Sequence, residues 1–178
     1  PDESFQVQHL FELWARCDLA LFENNANDSL KELDVFFKRS KWALLRALQL
    51  VRSLLYFIRG KLLIASCQDK RIDETIRIKR IKTCKKLCKR MKKQKTPLST
   101  VNAALLEPAI EFQLGNKNRA ISLLRKAVSI AEEYDMILHL AAARRRLGEI
   151  LGGEKGEKFI NEANETFAQE NVLNPDKM

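Results

Sequence analysis

The sequence predicts an all-α protein of about eight helices that pair into antiparallel hairpins. Apolar residues recur at spacings of three and four along most of the chain, as they do on the buried face of a helix. Only six glycines and four prolines occur among 178 residues, whereas a β-sandwich or barrel needs many more turn residues. No stretch alternates apolar and polar residues for long enough to predict a strand.

The helices predicted from this periodicity cover most of the chain. Their ranges are 5–23, 29–38, 42–67, 72–94, 98–114, 117–134, 136–151 and 154–169. In the first helix, the spacing predicts a buried face that includes His9, Leu13 and Cys17. The Asn- and Asp-rich stretch 24–28 predicts the turn that follows it. The fourth helix carries a predicted apolar stripe at Ile72, Ile76, Ile81, Cys84, Leu87, Cys88 and Met91.

Turn and cap residues mark the ends of the later helices. Thr96-Pro97 predicts a helix start, because Thr can cap the helix and Pro is pre-set for its first turn. Pro108 removes one backbone hydrogen bond within that helix and predicts a kink. Gly115-Asn116 predicts the next turn, and Gly152-Gly153 predicts the end of helix 136–151.

An internal repeat sharpens the prediction. Gly115 is followed at regular intervals by small Ala120, large Leu124 and small Ala127. This pattern resembles the second helix of a tetratricopeptide repeat, in which small residues let two helices approach closely. Gly148 is expected to mark a similar close contact in the following repeat. The hairpins are therefore predicted to stack as a tetratricopeptide-like (TPR-like) right-handed solenoid.

The predicted solenoid is continuous but has two regions. Residues 1–95 are expected to form degenerate hairpins, including a long basic helix, and residues 96–178 the more regular repeats. In the first region, Asn24, Ser29, Leu33 and Phe36 keep the spacing of the repeat but lose some of its small residues.

Three stretches of the chain also resemble a specific family. They are LLRALQLVRSLLYFIRGKLLIA (44–65), FQLGNKNRAISLLRKA (112–127) and DMILHLAAARRRLGEILGGEKGEKFINEA (135–163). These resemble the C-terminal helical-repeat region of large bacterial signalling proteins in which a serine/threonine kinase domain precedes a P-loop NTPase domain. The resemblance implies that this part is a sensor or protein-interaction arm, and that kinase and NTPase chemistry belongs to the parent protein.

The chain is expected to be a fragment of a longer cytoplasmic protein. It begins at Pro1 without Met, and its first twenty residues lack the basic start and apolar run of a signal peptide. The apolar stretch 42–67 is interrupted by Arg and Lys, so no membrane span is predicted. Without a secretory signal, the four cysteines are expected to be free thiols.

No catalytic, cofactor or metal site is expected in this chain. The glycines around Lys155 do not have the spacing of a P-loop. Cys84 and Cys88 share a helical face, but a metal would need further ligands, and buried apolar packing of the two thiols is favoured. For His9 and His139, core or half-buried packing is favoured over catalysis, because neither has an identifiable acid or nucleophile partner.

The excess positive charge is concentrated in residues 70–95. This segment holds 13 Lys or Arg against two acids, while the whole chain has a net charge of +9. The predicted basic patch comprises Lys79, Lys82, Lys85, Lys86, Lys89, Arg90 and Lys93. Three interpretations stay open for it: a solvated outer face, a surface for an acidic protein, or a surface for RNA or DNA. No aromatic residue lies in the segment to stack on bases, which favours the first two.

The favoured function is binding of a protein or peptide partner in a concave groove lined by the first helices of the hairpins. With Gly115 setting the turn, Asn102 and Gln113 are expected to face this groove. Arg145 and Glu149 are expected to do the same on helix 136–151. Nucleic-acid binding by the basic helix is the alternative, and the sequence does not predict an oligomeric state.

Overall fold

The computed structural model describes residues 7–39, 48–69 and 71–175, and this part of the chain contains eight α-helices and no strand. The helices are α1 (Val7–Phe22), α2 (Ala26–Arg39), α3 (Gln49–Ser66), α4 (Glu74–Lys92), α5 (Pro97–Gln113), α6 (Lys117–Glu133), α7 (Ile137–Leu151) and α8 (Gly153–Gln169). Close packing of consecutive helices joins α1 to α2, α2 to α3, and each of α5, α6 and α7 to the helix that follows it. The all-α prediction is confirmed, while the right-handed solenoid stays a prediction.

Contacts within the chain define two compact units, Pro1–Cys84 and Lys85–Met178. The boundary between them lies within α4, so each unit includes one half of that helix. The predicted regions 1–95 and 96–178 stay a prediction. Among the described residues, no helix has both the length and the apolar character that a bilayer span requires.

In the first unit, α1, α2 and α3 each contact the other two. Leu13, Cys17 and Leu33 are buried in the core that the three helices share. They help to line an apolar cavity of about 10 Å³. At the edge of this core, Lys61 of α3 pairs with Asp18 of α1 at 2.7 Å. The core residues Leu13 and Cys17 are those that the apolar spacing predicts.

The turn between α1 and α2 is shorter than predicted. Asn24 alone takes the left-handed conformation, with φ of 60°, and the amide of Asn25 donates to the carbonyl of Ala20 at 2.7 Å. Left-handed Asn is a common way to end a helix. Asn27 and Asp28 are therefore left for the first turn of α2, where an acid interacts favourably with the helix dipole.

Asp69 and Asp73 organise the connection between α3 and α4. Asp69 accepts hydrogen bonds from the Arg71 side chain and, at 2.9 Å, from Nδ2 of Asn27. The hydrogen bond from the Arg71 side chain is the main reason that the pKa of Asp69 is lowered to about 2. Asp73 accepts from the amide of Thr75 at 2.7 Å, which makes it the cap and explains why α4 begins at Glu74 and not at Ile72.

In the second unit, α5 begins with the predicted cap. The Thr96 side chain accepts from the amide of Ser99, and the Ser99 side chain accepts from the amide of Thr96, with Pro97 at the first helical position. Pro108 lies within α5. From there α5 packs on α6, α6 on α7 and α7 on α8, and α5 also contacts α7.

Small residues hold these helices close together, as the repeat predicts. Ala120 and Ala127 of α6 are 0% and 1% exposed, and Leu124 between them is 3% exposed. Ala127 packs with Ala104 of α5 and Ala143 of α7 in one buried cluster. The predicted roles of these α6 positions are confirmed.

The closest approach is between α7 and α8. A Cβ atom placed on Gly148 would lie 2.5 Å from the carbonyl oxygen of Gly156 and 2.7 Å from Cγ1 of Ile160. A Cβ atom on Gly156 would in turn collide with the carbonyl oxygen of Gly148. Gly152 is the single residue between the two helices, with φ of 67° and ψ of 176°, a conformation that only glycine adopts readily. The predicted close contact at Gly148 is confirmed, and Gly156 lies within α8, as the predicted helix 154–169 has it.

Three core predictions need correction. His9 is exposed on α1, because the buried face turns towards Leu10, Leu13 and Cys17 instead. Ile76 on α4 is 47% exposed, since the buried stripe of that helix starts only at Ile81. Ile72 precedes α4 and is half-buried. Residues 1–6, 40–47 and 176–178 and Lys70 lie outside the described residues, so the predictions made for them, including the helix start at residue 5, have no structural counterpart.

Candidate interaction surfaces

The four predicted groove residues do not form one exposed surface. Asn102 is wrong as a surface contact, because its side chain is 0% exposed within α5. That helix packs on both α6 and α7, which leaves little of its circumference open. Neither amide atom of Asn102 has a hydrogen-bond partner among the described residues. Gln113 is half-buried at the end of α5, beside the exposed Phe112 and Leu114.

Arg145 and Glu149 are brought together on α7. The Arg145 guanidinium pairs with Glu149 at 3.2 Å and donates to Oδ1 of Asn164 on α8 at 2.6 Å. Arg146 reaches the same carboxylate at 2.6 Å. The Arg145 side chain is only 12% exposed, whereas Glu149 is 33% exposed. Arg145 therefore ties α7 to α8, and Glu149 is the more accessible of the two groups.

The basic patch on α4 is more ordered than a count of charges indicates. Five of its lysines are exposed and have no ion-pair partner among the described residues: Lys79, Lys82, Lys86, Lys89 and Lys93. We call these five the lysine row. Successive members are three, four, three and four residues apart, which places them within an arc of about 80° on one side of the helix. The row extends over about 21 Å along the helix axis.

Lys85, also predicted in the patch, does not belong to the row. It lies 3.6 Å from the carboxylate of Glu111 on α5, and Lys92 pairs with Glu107 of the same helix at 2.5 Å. Glu111 also accepts from Asn116 at 2.8 Å. This hydrogen bond, with the nearby cations Lys85 and Arg119, keeps the pKa of Glu111 below its ordinary value. Side-chain charges on the α5-facing side of α4 are thus compensated within the chain.

The lysine row itself carries an electrostatic cost. Residues three and four apart on a helix are neighbours, and like charges there destabilise it by about 0.2–0.5 kcal/mol per pair. The row contains four such pairs in succession, so the total is on the order of 1–2 kcal/mol at low ionic strength. Arg90, the last predicted member of the patch, is exposed on the same side of the helix. A bound anion would relieve this repulsion.

Counting the charges of segment 70–95 could not distinguish the lysine row from the neighbouring Lys85 and Lys92. The spacing of Lys79, Lys82, Lys86, Lys89 and Lys93 is visible in the sequence and was the signal that could have found them. The carboxylates of Glu107 and Glu111, which neutralise two neighbouring lysines, come from a different helix. Only the packing of α5 against the second half of α4 reveals which lysines remain uncompensated.

The cysteines offer no reactive thiol in this structure. All four are buried and form no disulfide, and the burial of Cys84 and Cys88 is as predicted. Burial is the main reason that the pKa of Cys17 is raised to about 11, and burial also raises the pKa of Cys67. Within the described residues, no three His, Cys, Asp or Glu side chains are grouped as metal ligands would be.

Comparisons of the chain with protein-family models, with curated proteins and with solved structures found no match. The resemblance to the C-terminal region of bacterial kinase–NTPase proteins therefore stays a prediction. The function of the chain is inferred below from its own residues.

Proposed function

We propose that this chain is a non-catalytic protein-interaction module, serving as a sensor arm of a cytoplasmic bacterial signalling protein. The observation that supports this most is the packing of α5 to α8, in which α5 contacts both its partner α6 and the next first helix, α7. In tetratricopeptide-like repeats, first helices that lie side by side line the ligand groove. The small residues Ala120, Ala127 and Gly148 support the same interpretation, because they allow the close spacing that such repeats need.

The groove contacts favoured by the structure are Gln113 and Glu149. Both lie on first helices, and both keep part of their side chains exposed. Arg145 has a positioning role in this proposal, because its pairing with Glu149 and Asn164 limits how that carboxylate can move. A partner would thus meet a polar surface whose geometry is set by α7 and α8.

A peptide library displayed on phage and selected on the immobilised chain tests the proposal without knowledge of the natural partner. We expect selected peptides to bind Gln113→Ala and Glu149→Ala variants about tenfold more weakly than the wild type. Glu133→Ala is the matched control, because Glu133 is exposed on the second helix α6. Peptides that bind all four proteins with the same Kd, or a selection that yields none, would contradict the groove assignment.

Nucleic-acid binding is a second candidate, favoured by the lysine row alone. Uncompensated lysines can contact phosphates, and such binding weakens steeply as salt rises because counterions are released. Filter binding of duplex DNA and of RNA at low and high salt checks it. The described residues of α4 include no aromatic side chain that could stack on a base, so any binding is expected to be insensitive to sequence.

A further inference from the structure

We propose that the lysine row of α4 docks an acidic helical segment of a partner protein. This inference rests on the proposed function, because it takes the partner of the chain to be a protein. It concerns a different surface from the groove of α5 and α7, so each can fail without the other.

The shape of the row is the first reason for a helical ligand. Five ammonium groups at spacings of three and four residues form a nearly straight line of about 21 Å. A second helix with carboxylates at the same spacing presents them along one side over the same length, in about four turns. The phosphates of duplex DNA instead follow a curved path around its axis, so a straight row can contact only a few of them.

The chemistry of the row is the second reason. Phosphate recognition commonly uses Arg, whose planar guanidinium binds two oxygens at once, whereas the five members of the row are Lys and Arg90 is a single arginine beside them. Lysine is a compact charge on a flexible stem and suits exposed carboxylates without a fixed geometry. Each exposed ion pair is weak, so binding depends on the row acting together and is expected to be salt-sensitive.

One exposed isoleucine extends the surface beyond the lysines. Ile78 is 42% exposed in the first half of α4. It precedes Lys82 by four residues and so lies one turn before a member of the row. Ile76 is also exposed, but it lies two residues earlier and therefore on nearly the opposite side of the helix. A partner helix with an apolar residue one turn beyond its acids would cover Ile78. The combination of apolar end and charged row fits a protein segment better than a nucleic-acid backbone.

The test is fluorescence anisotropy with a labelled, alanine-rich helical peptide of about 18 residues. Its five glutamates repeat the spacing of the row, and a second peptide has the same composition in scrambled order. A duplex of about 20 base pairs is the competing probe. The full chain is compared with the triple variant Lys86→Glu, Lys89→Glu, Lys93→Glu. The control triple variant Lys117→Glu, Lys126→Glu, Lys155→Glu changes the net charge equally at exposed lysines of the same unit.

We expect the patterned peptide to bind the wild type at about 50 mM salt and the row variant at least about tenfold more weakly. The control variant should lose less than about threefold in affinity for the patterned peptide, and the scrambled peptide should bind the wild type more weakly than the patterned one.

Equal losses of affinity in both triple variants would overturn the proposal, because net charge and not the row would then explain binding. Tighter binding of the duplex, with loss confined to the row variant, would overturn it in favour of nucleic acid. No binding of the patterned peptide at low salt would overturn it too, leaving the row as a solvated face. Circular dichroism of both variants verifies that each is folded.

Discussion

The contact between Gly148 and Gly156 makes Gly148→Ala the most informative single substitution in this chain. An added methyl group would meet the Gly156 carbonyl oxygen at 2.5 Å and Cγ1 of Ile160 at 2.7 Å. Ordinary contacts begin near 3.4 Å, so α8 would have to move by close to 1 Å. The obstructing oxygen is part of the backbone of a helix and cannot rotate away as a side chain could.

Two opposing effects set the size of the change. Overpacking a tight contact typically costs 1–3 kcal/mol of stability. Because the obstacle at Gly148 is backbone, the cost there is expected at the upper end, about 3 kcal/mol. Replacing Gly by Ala within a helix returns about 1 kcal/mol through helix propensity. The expected net loss is therefore about 2 kcal/mol, which corresponds to a fall in Tm of about 4–8 °C for a chain of this length.

Thermal unfolding followed by far-UV circular dichroism measures the effect. Ser122→Ala on the exposed face of α6 is the propensity control and should be neutral or slightly stabilising. The double variant Gly148→Ala, Gly156→Ala adds a second check. Once the helices have separated, the second methyl group should cost much less than it does alone. A Gly148→Ala protein as stable as the wild type, or strictly additive losses in the double variant, would refute the close contact as the source of the effect.

Four further outcomes are expected. Gly152→Ala should lower the free energy of unfolding by about 1–3 kcal/mol, because alanine is strained at the φ and ψ of Gly152. An unchanged midpoint of unfolding in urea would contradict this. Thr96→Ala should cost about 1 kcal/mol through loss of the cap of α5, with Thr96→Ser as the conservative control. The Cys17 thiol, buried and with a pKa of about 11, should resist iodoacetamide at pH 8 in the folded chain and react once urea unfolds it; rapid labelling without urea would contradict its burial. The folded-state pKa of Asp69 is depressed to about 2, so its stabilising effect is present above about pH 4 and is lost as the pH falls towards 2. The free energy of unfolding of the wild type should therefore approach that of Asp69→Asn within this pH range and not above it.

A last expectation concerns the lysine row. Lys86→Gln should stabilise the chain by about 0.6–1.5 kcal/mol at low salt, since it removes the repulsion from Lys82, Lys89 and Arg90. Lys126→Gln is the control, because no charged residue lies three or four positions from Lys126 on α6. The difference between the two variants should shrink as salt screens the row, and a salt-independent difference would count against electrostatic repulsion.

The sequence predicts the helices of this chain well where turn chemistry is explicit. Thr96-Pro97 and Gly115-Asn116 give the bounds of α5 and α6 to within one residue, because caps and turns act locally. The start of α2 was misplaced, since any of several Asn or Asp residues could have taken the left-handed position that Asn24 occupies. The residue of the 24–28 stretch that becomes left-handed depends on which helix carbonyl the next amide can reach, here that of Ala20. The spacing of residues in the sequence does not determine this.

Candidate surfaces were harder to predict than helices. Asn102 was assigned to the groove from the helical register that Gly115 sets, yet it is completely buried within α5. The patch on α4 was recognised as basic, but its division into compensated and uncompensated lysines depends on Glu107 and Glu111, which lie some 20 residues further along the chain. Tertiary packing decides both outcomes, and helical periodicity within one segment contains no information about it.

The packing of the second unit has a consequence for how it forms. Its helices touch mainly their neighbours in the sequence, and only Gly152 separates α7 from α8. Little chain entropy is lost in closing such short connections, so this unit is expected to fold quickly. Assembly can begin at whichever hairpin forms first and spread to the next helix, and the outermost helix, α8, can open while α5 and α6 remain paired.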